Sequence, residues 1–393
     1  MCVSENTTRP VSVPMGRAQQ AAIPIVGKGY AFFDRQLERR SFLTMKIVVL
    51  AGGLSPERNV SLSSGTMITE ALRTLGHRAA LVDMYFGLED YTGPLEDFFD
   101  QPVSDAGKKV DRAEPDLEAI AAARKWQSPS LFGKDVIQLC QMADIVFLAL
   151  HGSCGEDGRV QAAFDVLGIP YTGAGSLPSG IAMDKDMTKR LIAGLDVPTP
   201  KWTRTDYTEK DVDRLTSTTP VPCVIKPVDS GSSIGVAIAH TKKELHAALV
   251  EGLKFGGRCV LEQYVSGREI QVGILGDTAL PSIEIIPKEG FYDYANKYQP
   301  GAAEEICPAP IPSEWEKRLG QAALTVYHAL GLEVYSRADF IVDEDGTPWF
   351  LEINTLPGMT PTSLVPQEAA AVGIGYGELC QKIIDLSLEA RKK

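Results

Sequence analysis

The chain predicts a fold of mixed α/β and α+β class, and three observations carry that prediction. From Lys46 the sequence KIVVLAGG reads as a buried strand and a glycine turn, and a helical pattern follows, which is how a parallel α/β unit opens. The middle of the chain reads as a β-rich core of short apolar strands bounded by small-residue turns. Near the end, two apolar runs at 337–342 and 348–353 flank the acidic turn Asp343, Glu344, Asp345, Gly346, and Asp-Gly between strand-like runs is a strong hairpin signal.

Composition bounds the rest. With 393 residues, 44% hydrophobic and 23% charged, the chain can bury two or three cores. A formal net charge of -12 argues against a nucleic-acid binder, so an anionic substrate must be met by a local cluster of Lys and Arg. No run approaches the roughly 18 apolar residues of a membrane span. The 7 cysteines are scattered, with no C-x-x-C pair, and read as free thiols of a reducing compartment. Residues 1–44 carry five arginines and an apolar piece that Pro24 interrupts; they are expected to be a disordered N-terminal extension rather than a signal peptide.

In order, the strand at 46 leads into a helix at 59–75 closed by Gly76, then a strand at 79–83 whose final acid, Asp83, could imitate a ribose ligand. The dinucleotide fingerprint is missing, since AGGLSPE does not fit G-x-G-x-x-G. Residues 89–134 are polar and irregular and read as a surface insertion with one helix near 115–125. A buried strand at 144–150 ends in His151-Gly152-Ser153-Cys154-Gly155-Glu156-Asp157-Gly158, at the carboxyl end where parallel sheets place ligands. His151 and Cys154 are better read as a loop histidine and a quiet thiol than as a nucleophilic pair. A helix at 158–167 follows, then a domain break near 173–175, and Asp184 can cap a helix at 185–193.

In the middle segment a strand at 221–226 ends in Lys226 and runs into the loop Asp229-Ser230-Gly231-Ser232-Ser233-Ile234-Gly235. Such a loop can lay backbone N–H groups and hydroxyls around a phosphate, and the strand-end lysine supplies a point charge; a flexible connector is the plainer reading of the loop alone. Thr241 and Glu244 form a capping box for a helix to about 254, and strands follow at 259–265, 270–275 and 282–286. The loop 291–298, FYDYANKY, is too polar for core and too aromatic for a linker, which suits a lid over a ligand. Helices are expected at 312–330 and 376–388, either side of the hairpin.

The hairpin carries the chemistry. Side chains two apart share a strand face, so Arg337 and Asp339 point one way on the first strand, and Glu352 and Asn354 point together on the second. Two carboxylates, an amide oxygen and a guanidinium on one patch suit magnesium, which completes its octahedron with water and substrate phosphates. The alternative is a solvated face with a salt bridge from Arg337. Glu352 weighs against it, because an unpaired charge inside Phe-Leu-Glu-Ile-Asn would be costly. The turn after the second strand can bring the Gly358 N–H to a reacting group.

From Met45 onward the sequence resembles the D-alanine--D-alanine ligases of the ATP-grasp superfamily in AGGLSPERNVSL, LHGSCGEDG, YTGAG, MDKDMTK, IKPVDSGSSIG, LEQYVSGRE, FYDYANKY, SRADF and LEINTLPGMTPTSLVP. The resemblance implies a three-domain ATP-grasp architecture: an N-terminal parallel α/β domain at 45–173 with its insertion at about 89–134, a central subdomain at 174–262, and a C-terminal subdomain with the metal site at 263–393. It implies ATP as substrate and two magnesium ions, with manganese as a substitute, held by Asp339, Glu352 and Asn354. Lys185, Lys226, Ser232, Ser233, Glu262, Val265, Glu269 and Lys297 would bind ATP. Glu57, with Ser232 and Tyr298, would hold the ammonium of the first D-alanine, and His151 would stand near that subsite. Arg337 and the Gly358 N–H would form the oxyanion site, and Ser363 with Lys297 would receive the second carboxylate. A cytoplasmic homodimer acting in peptidoglycan precursor synthesis is the family expectation, with no nucleic-acid or membrane partner.

Gln263 stands where some members carry lysine, which touches one adenine contact. Tyr298 stands where phenylalanine goes with D-lactate, so tyrosine favours an amine acceptor. The nearer rival is a D-alanine--D-lactate or D-alanine--D-serine ligase. From other classes come a dinucleotide-binding oxidoreductase domain and a catalytically silent nucleotide-binding protein.

Overall fold

The computed structural model describes residues 43–103, 115–231, 233–288 and 303–392. Residues 1–42 of the expected extension, Ser232, and the aromatic loop with Lys297 and Tyr298 lie outside the described residues.

β1 (Lys46–Ala51) is buried over its last five residues and runs parallel to both β2 (Arg78–Asp83) and β3 (Ile145–Leu148), in the order β2-β1-β3. Near-continuous apolar runs form such strands because both faces are covered. Between β1 and β2, α1 (Arg58–Thr74) ends where Gly76 takes φ +92, a conformation that favours glycine. Asp83 does not face a nucleotide site: its carboxylate pairs with the guanidinium of Arg58, with one contact at 3.2 Å, and lies against Gly52. The ribose-ligand expectation for Asp83 is corrected by that ion pair.

Within 89–134 the chain forms a 3-10 turn, Leu95–Asp100, and α2 (Leu117–Ala123), followed by α3 (Val136–Met142). This stretch is less superficial than its polarity suggests, since Phe99 is buried in the core of the first sheet. Arg124 binds it together, donating to the carbonyls of Ser128, Ser130 and Phe132. After β3 come α4 (Arg159–Leu167), α5 (Ser176–Met183) and α6 (Lys185–Ile192). Asp184 caps α6 as expected, accepting the Met187 N–H at 2.9 Å.

A four-stranded antiparallel sheet follows, in the order β4 (Trp202–Asp206), β7 (Arg258–Gln263), β5 (Cys223–Pro227), β6 (Ala237–Ala239). α7 (Val212–Thr218) and α8 (Lys242–Gly252) pack together and contribute to its core. Thr241 accepts the Glu244 N–H at 3.2 Å, and the Glu244 carboxylate accepts the His240 N–H at 2.7 Å, the backbone N–H groups of His240 and Thr241 together holding its carboxyl below the usual range.

The last sheet orders β11 (Ala303–Ile306), β10 (Ile283–Pro287), β8 (Arg268–Leu275), β12 (Tyr335–Val342) and β13 (Pro348–Asn354), with β9 (Thr278–Ala279) paired to β8. α9 (Ser313–Ala329) contributes to the core of this sheet, and α10 (Leu364–Ala371) and α11 (Tyr376–Ala390) close the chain. The expected hairpin is β12-β13: Asp343 accepts the N–H groups of Asp345 and Thr347 and the Trp349 indole, and Gly346 turns at φ +75. Among the described residues, no helix is long and apolar enough to cross a membrane.

Candidate active site

The register of β12 and β13 puts Arg337 directly opposite Asn354, and Asp339 opposite Glu352. Directly opposed residues of an antiparallel pair project to one face, so all four gather there. Arg337 grips Asp339 in a fork, Nε to Oδ1 at 2.8 Å and Nη2 to Oδ2 at 3.0 Å. Asn354 Nδ2 reaches the same carboxylate at 3.2 Å. A cleft opens in front, lined among others by Glu156, Lys185, Ser230, Gly231, Glu352 and Asn354.

Lys185, at the head of α6, crosses that cleft. Its ammonium lies 3.1 Å from Glu352 Oε2 and donates to Ser230 O at 2.6 Å, tying the metal-type carboxylate to the small-residue loop. In that loop Ser233 sits at φ +58, and the Gly231 backbone passes so close to Glu57 that a Cβ there would fall 3.0 Å from Oε2. Gly152, at φ +71, crowds the same carboxylate: a Cβ would fall 2.5 Å from Oε2. Glu57 is thus held at the N-terminus of α1 between two backbone segments from different parts of the chain.

Lys226 and Glu262 face one another instead of standing separately. Glu262 is buried on β7, with Lys226 Nζ at 2.8 Å and Lys189 Nζ at 3.1 Å. Burial would raise the Glu262 carboxyl, but the two ammonium groups outweigh it and hold the carboxyl below its usual range. Burial likewise pulls Lys226 down while Glu262 and Glu352 pull it further up. Lys189 falls to about 8, because burial and repulsion from Lys226 exceed the pull of Glu262. Val265 lies two residues past the end of β7, half-buried, and Glu269 lies on β8 next to Gln271, whose amide is 3.4 Å away.

His151 is buried with both ring nitrogens engaged. Burial drops it to about 4, so the imidazole is neutral; Nδ1–H donates to Leu356 O at 3.0 Å, and Nε2 accepts from Ser64 Oγ at 3.3 Å. Ser363 stands at the N-cap position of α10, but its hydroxyl turns back to the Gly358 turn and accepts the Thr360 N–H at 3.0 Å instead of bonding the helix. A Cβ on Gly358 would fall 3.0 Å from Ser363 Oγ.

Sequence reasoning missed two residues. Lys189 lies one helical turn after Lys185, and that i,i+4 spacing was the available signal. Glu156 is buried, and burial together with Glu57 pushes its carboxyl up to about 8; the only signal was its place after the strand ending at residue 148. A second depression, beside Arg190, Trp202 and Arg204, holds a different arrangement: Asp186 already binds Arg190 and the Trp202 indole, each at 2.8 Å.

A parallel α/β unit, two antiparallel sheets and a cleft where lysines face an Asp, Glu, Asn set define a protein of the ATP-grasp class. Residues 46–174 match the model described as D-ala D-ala ligase N-terminus, and residues 191–385 that of the D-ala D-ala ligase C-terminus. A curated D-alanine--D-alanine ligase of Pediococcus pentosaceus is 41% identical over 342 residues, covering 86% of this chain and 97% of the relative. That of Halalkalibacterium halodurans is 38% identical, covering 88% of this chain and 100% of the relative. Among solved structures, the Bacillus anthracis D-alanine--D-alanine ligase complexed with ATP is 31% identical with a TM-score of 0.66, covering 89% of this chain and 99% of that one. The VanG D-Ala:D-Ser ligase from Enterococcus faecalis is 28% identical with a TM-score of 0.67, covering 88% of this chain and 100% of that one. The chain belongs to the D-alanine--D-alanine ligase family.

Proposed function

We propose that this chain joins two D-alanines at the expense of ATP, and that the cleft between Lys185 and the β12-β13 hairpin is where it does so. A carboxylate oxygen of the first D-alanine attacks the γ-phosphorus of ATP, releasing ADP and leaving an acyl phosphate. The amine of the second then attacks the acyl carbon, loses a proton, and expels phosphate. Such a reaction needs positioned phosphates and charge neutralisation more than covalent help.

The observation that carries the reading is Glu352 opposite Asp339 on one strand face, with Asn354 alongside and Lys185 reaching over from α6. Two carboxylates and an amide oxygen make a donor set that fits magnesium, which draws its other ligands from phosphate and water and would neutralise phosphate charge here. Manganese fits the same donors. Lys185, Lys226 and the loop with Ser232 and Ser233 would hold the phosphates, helped by Lys297; Glu262, Val265 and Glu269 would border the nucleoside. Glu57 would take the ammonium of the first D-alanine, supported by Ser232 and Tyr298, and His151 would shape that subsite. Arg337 and the Gly358 N–H would face the developing oxyanion, and Ser363 with Lys297 the second carboxylate. The domain limits expected from the sequence, a homodimeric assembly and a cytoplasmic site of action, where ATP is supplied, belong to the same proposal.

Phosphate release should require ATP, magnesium and D-alanine together, and mass analysis of a mixture of D-amino and D-hydroxy acids should return D-alanyl-D-alanine as the main product. Release indifferent to D-alanine rejects the reading, and a dominant D-seryl or D-lactyl product moves it to the sister activities. Glu352→Gln should abolish turnover with an unchanged circular dichroism spectrum; near-normal turnover would remove Glu352 from the metal set.

A further inference from the structure

Glu156 was not singled out in the sequence and has no role above, yet it joins parts of the chain 200 residues apart. Its Oε2 accepts the Gly152 N–H at 2.8 Å and its Oε1 the Leu356 N–H at 3.4 Å. The carbonyl of that same Leu356 accepts from His151 Nδ1 at 3.0 Å, so two side chains of the 151–156 loop hold both polar groups of one residue. The next contacts continue the pattern: Met359 N–H donates to Ser64 Oγ at 3.4 Å, and Met359 O accepts from the Tyr376 hydroxyl at 2.6 Å. The turn containing Gly358 is therefore gripped on both sides by side chains from outside the hairpin. A buried carboxyl that only lent stability could sit anywhere in the core; this one lines the cleft and ends on the peptide two residues before Gly358.

We propose that Glu156 is a positioning residue that fixes the turn at 355–359, and through it the Gly358 N–H, against the loop carrying His151. What Gly358 does rests on the ligase reading above; where its turn is held does not. A backbone donor is effective only if it is aimed before charge develops, so loosening the turn should reduce turnover more than nucleotide binding.

The test uses the full chain with Glu156→Ala and Glu156→Gln, reading amide hydrogen exchange and steady-state kinetics. In Glu156→Ala, exchange at Gly152, Leu356 and Met359, whose N–H groups are bonded in this turn and its partner loop, should rise about tenfold or more, while Phe350, bonded to Pro198 O at 2.8 Å, keeps its protection. kcat should fall about tenfold or more with the KM for ATP within about twofold, because the loss lies in the transition state. Glu156→Gln, which keeps one acceptor oxygen, should fall between. Unchanged exchange at Leu356 and Met359, or a rise spread over the whole chain, overturns the proposal, as does loss of turnover without loosening of the turn. If the parent enzyme releases no phosphate with D-alanine, the ligase reading fails, and the exchange data still decide whether Glu156 holds the turn.

Discussion

Glu262 keeps 2% of its surface in water and faces two ammonium groups, so its charge is tied to theirs. Removing one partner of a buried ion pair leaves uncompensated charge, and Glu262→Gln should destabilise the fold by about 3–5 kcal/mol in urea unfolding. The sign with pH follows from Lys189. Its folded value, about 8, lies below the ordinary 10.5, so between those values the unfolded chain binds the extra proton and stability rises with pH. Without Glu262 the lysine falls further and that window extends downward. The deficit of Glu262→Gln against the parent should therefore shrink as pH rises from about 6 to about 9; a deficit constant over that range would refute the triad as drawn. The sequence offered little of this. A lysine is usually a solvated residue, so Lys189 gave no sign that it is fully buried, whereas Glu352 was legible because it interrupts an apolar run.

Elements were legible where local chemistry agreed with the tertiary structure. The β12-β13 hairpin was, since Asp-Gly and a period of two specify both the turn and the face. α5 and α10 were not, because Pro178 and Pro366 suggest loops; each falls in the first helical turn, where its missing N–H has no helical partner to lose. α10 also docks by a contact that no local pattern encodes. Glu368, wholly buried, accepts the Gly273 N–H of β8 at 2.9 Å, and a Cβ on Gly273 would fall 2.3 Å from its Oε2. Burial raises the Glu368 carboxyl well above its usual range, beside an interior strand of the sheet. Gly273→Ala should then be destabilising in the parent and less so beside Glu368→Ala, where Leu280 Cδ1, 3.1 Å from the added Cβ, remains as the flexible neighbour. A double-mutant cycle by thermal unfolding should give a favourable coupling of about 1 kcal/mol or more; additive losses would mean the two groups do not compete for one volume.

At the scale of the molecule, the first sheet does not finish its own core. Leu379, Cys380, Ile383 and Ile384 of α11 share one buried cluster with Ile47, Val49 and Phe147, although more than 200 residues separate them. Polar ties reinforce the join: His77 Nε2 meets Gln381 Oε1 at 2.7 Å, Gly173 N–H donates to Ser387 Oγ at 3.2 Å, and Arg391 donates to Gly173 O at 2.8 Å. A three-stranded sheet that leaves an apolar face open is poorly placed to fold, since folding must offset the chain entropy that burial would otherwise compensate. A fragment of residues 45–174 alone should therefore lack near-ultraviolet dichroism and a sharp thermal transition. Fusing residues 375–392 to it through a flexible linker should restore a cooperative transition, because the missing helix brings back the buried face. A fragment that folds cooperatively without α11 would show that the helix only covers a core already stable by itself, and that the join between the ends of the chain serves the cleft rather than the sheet.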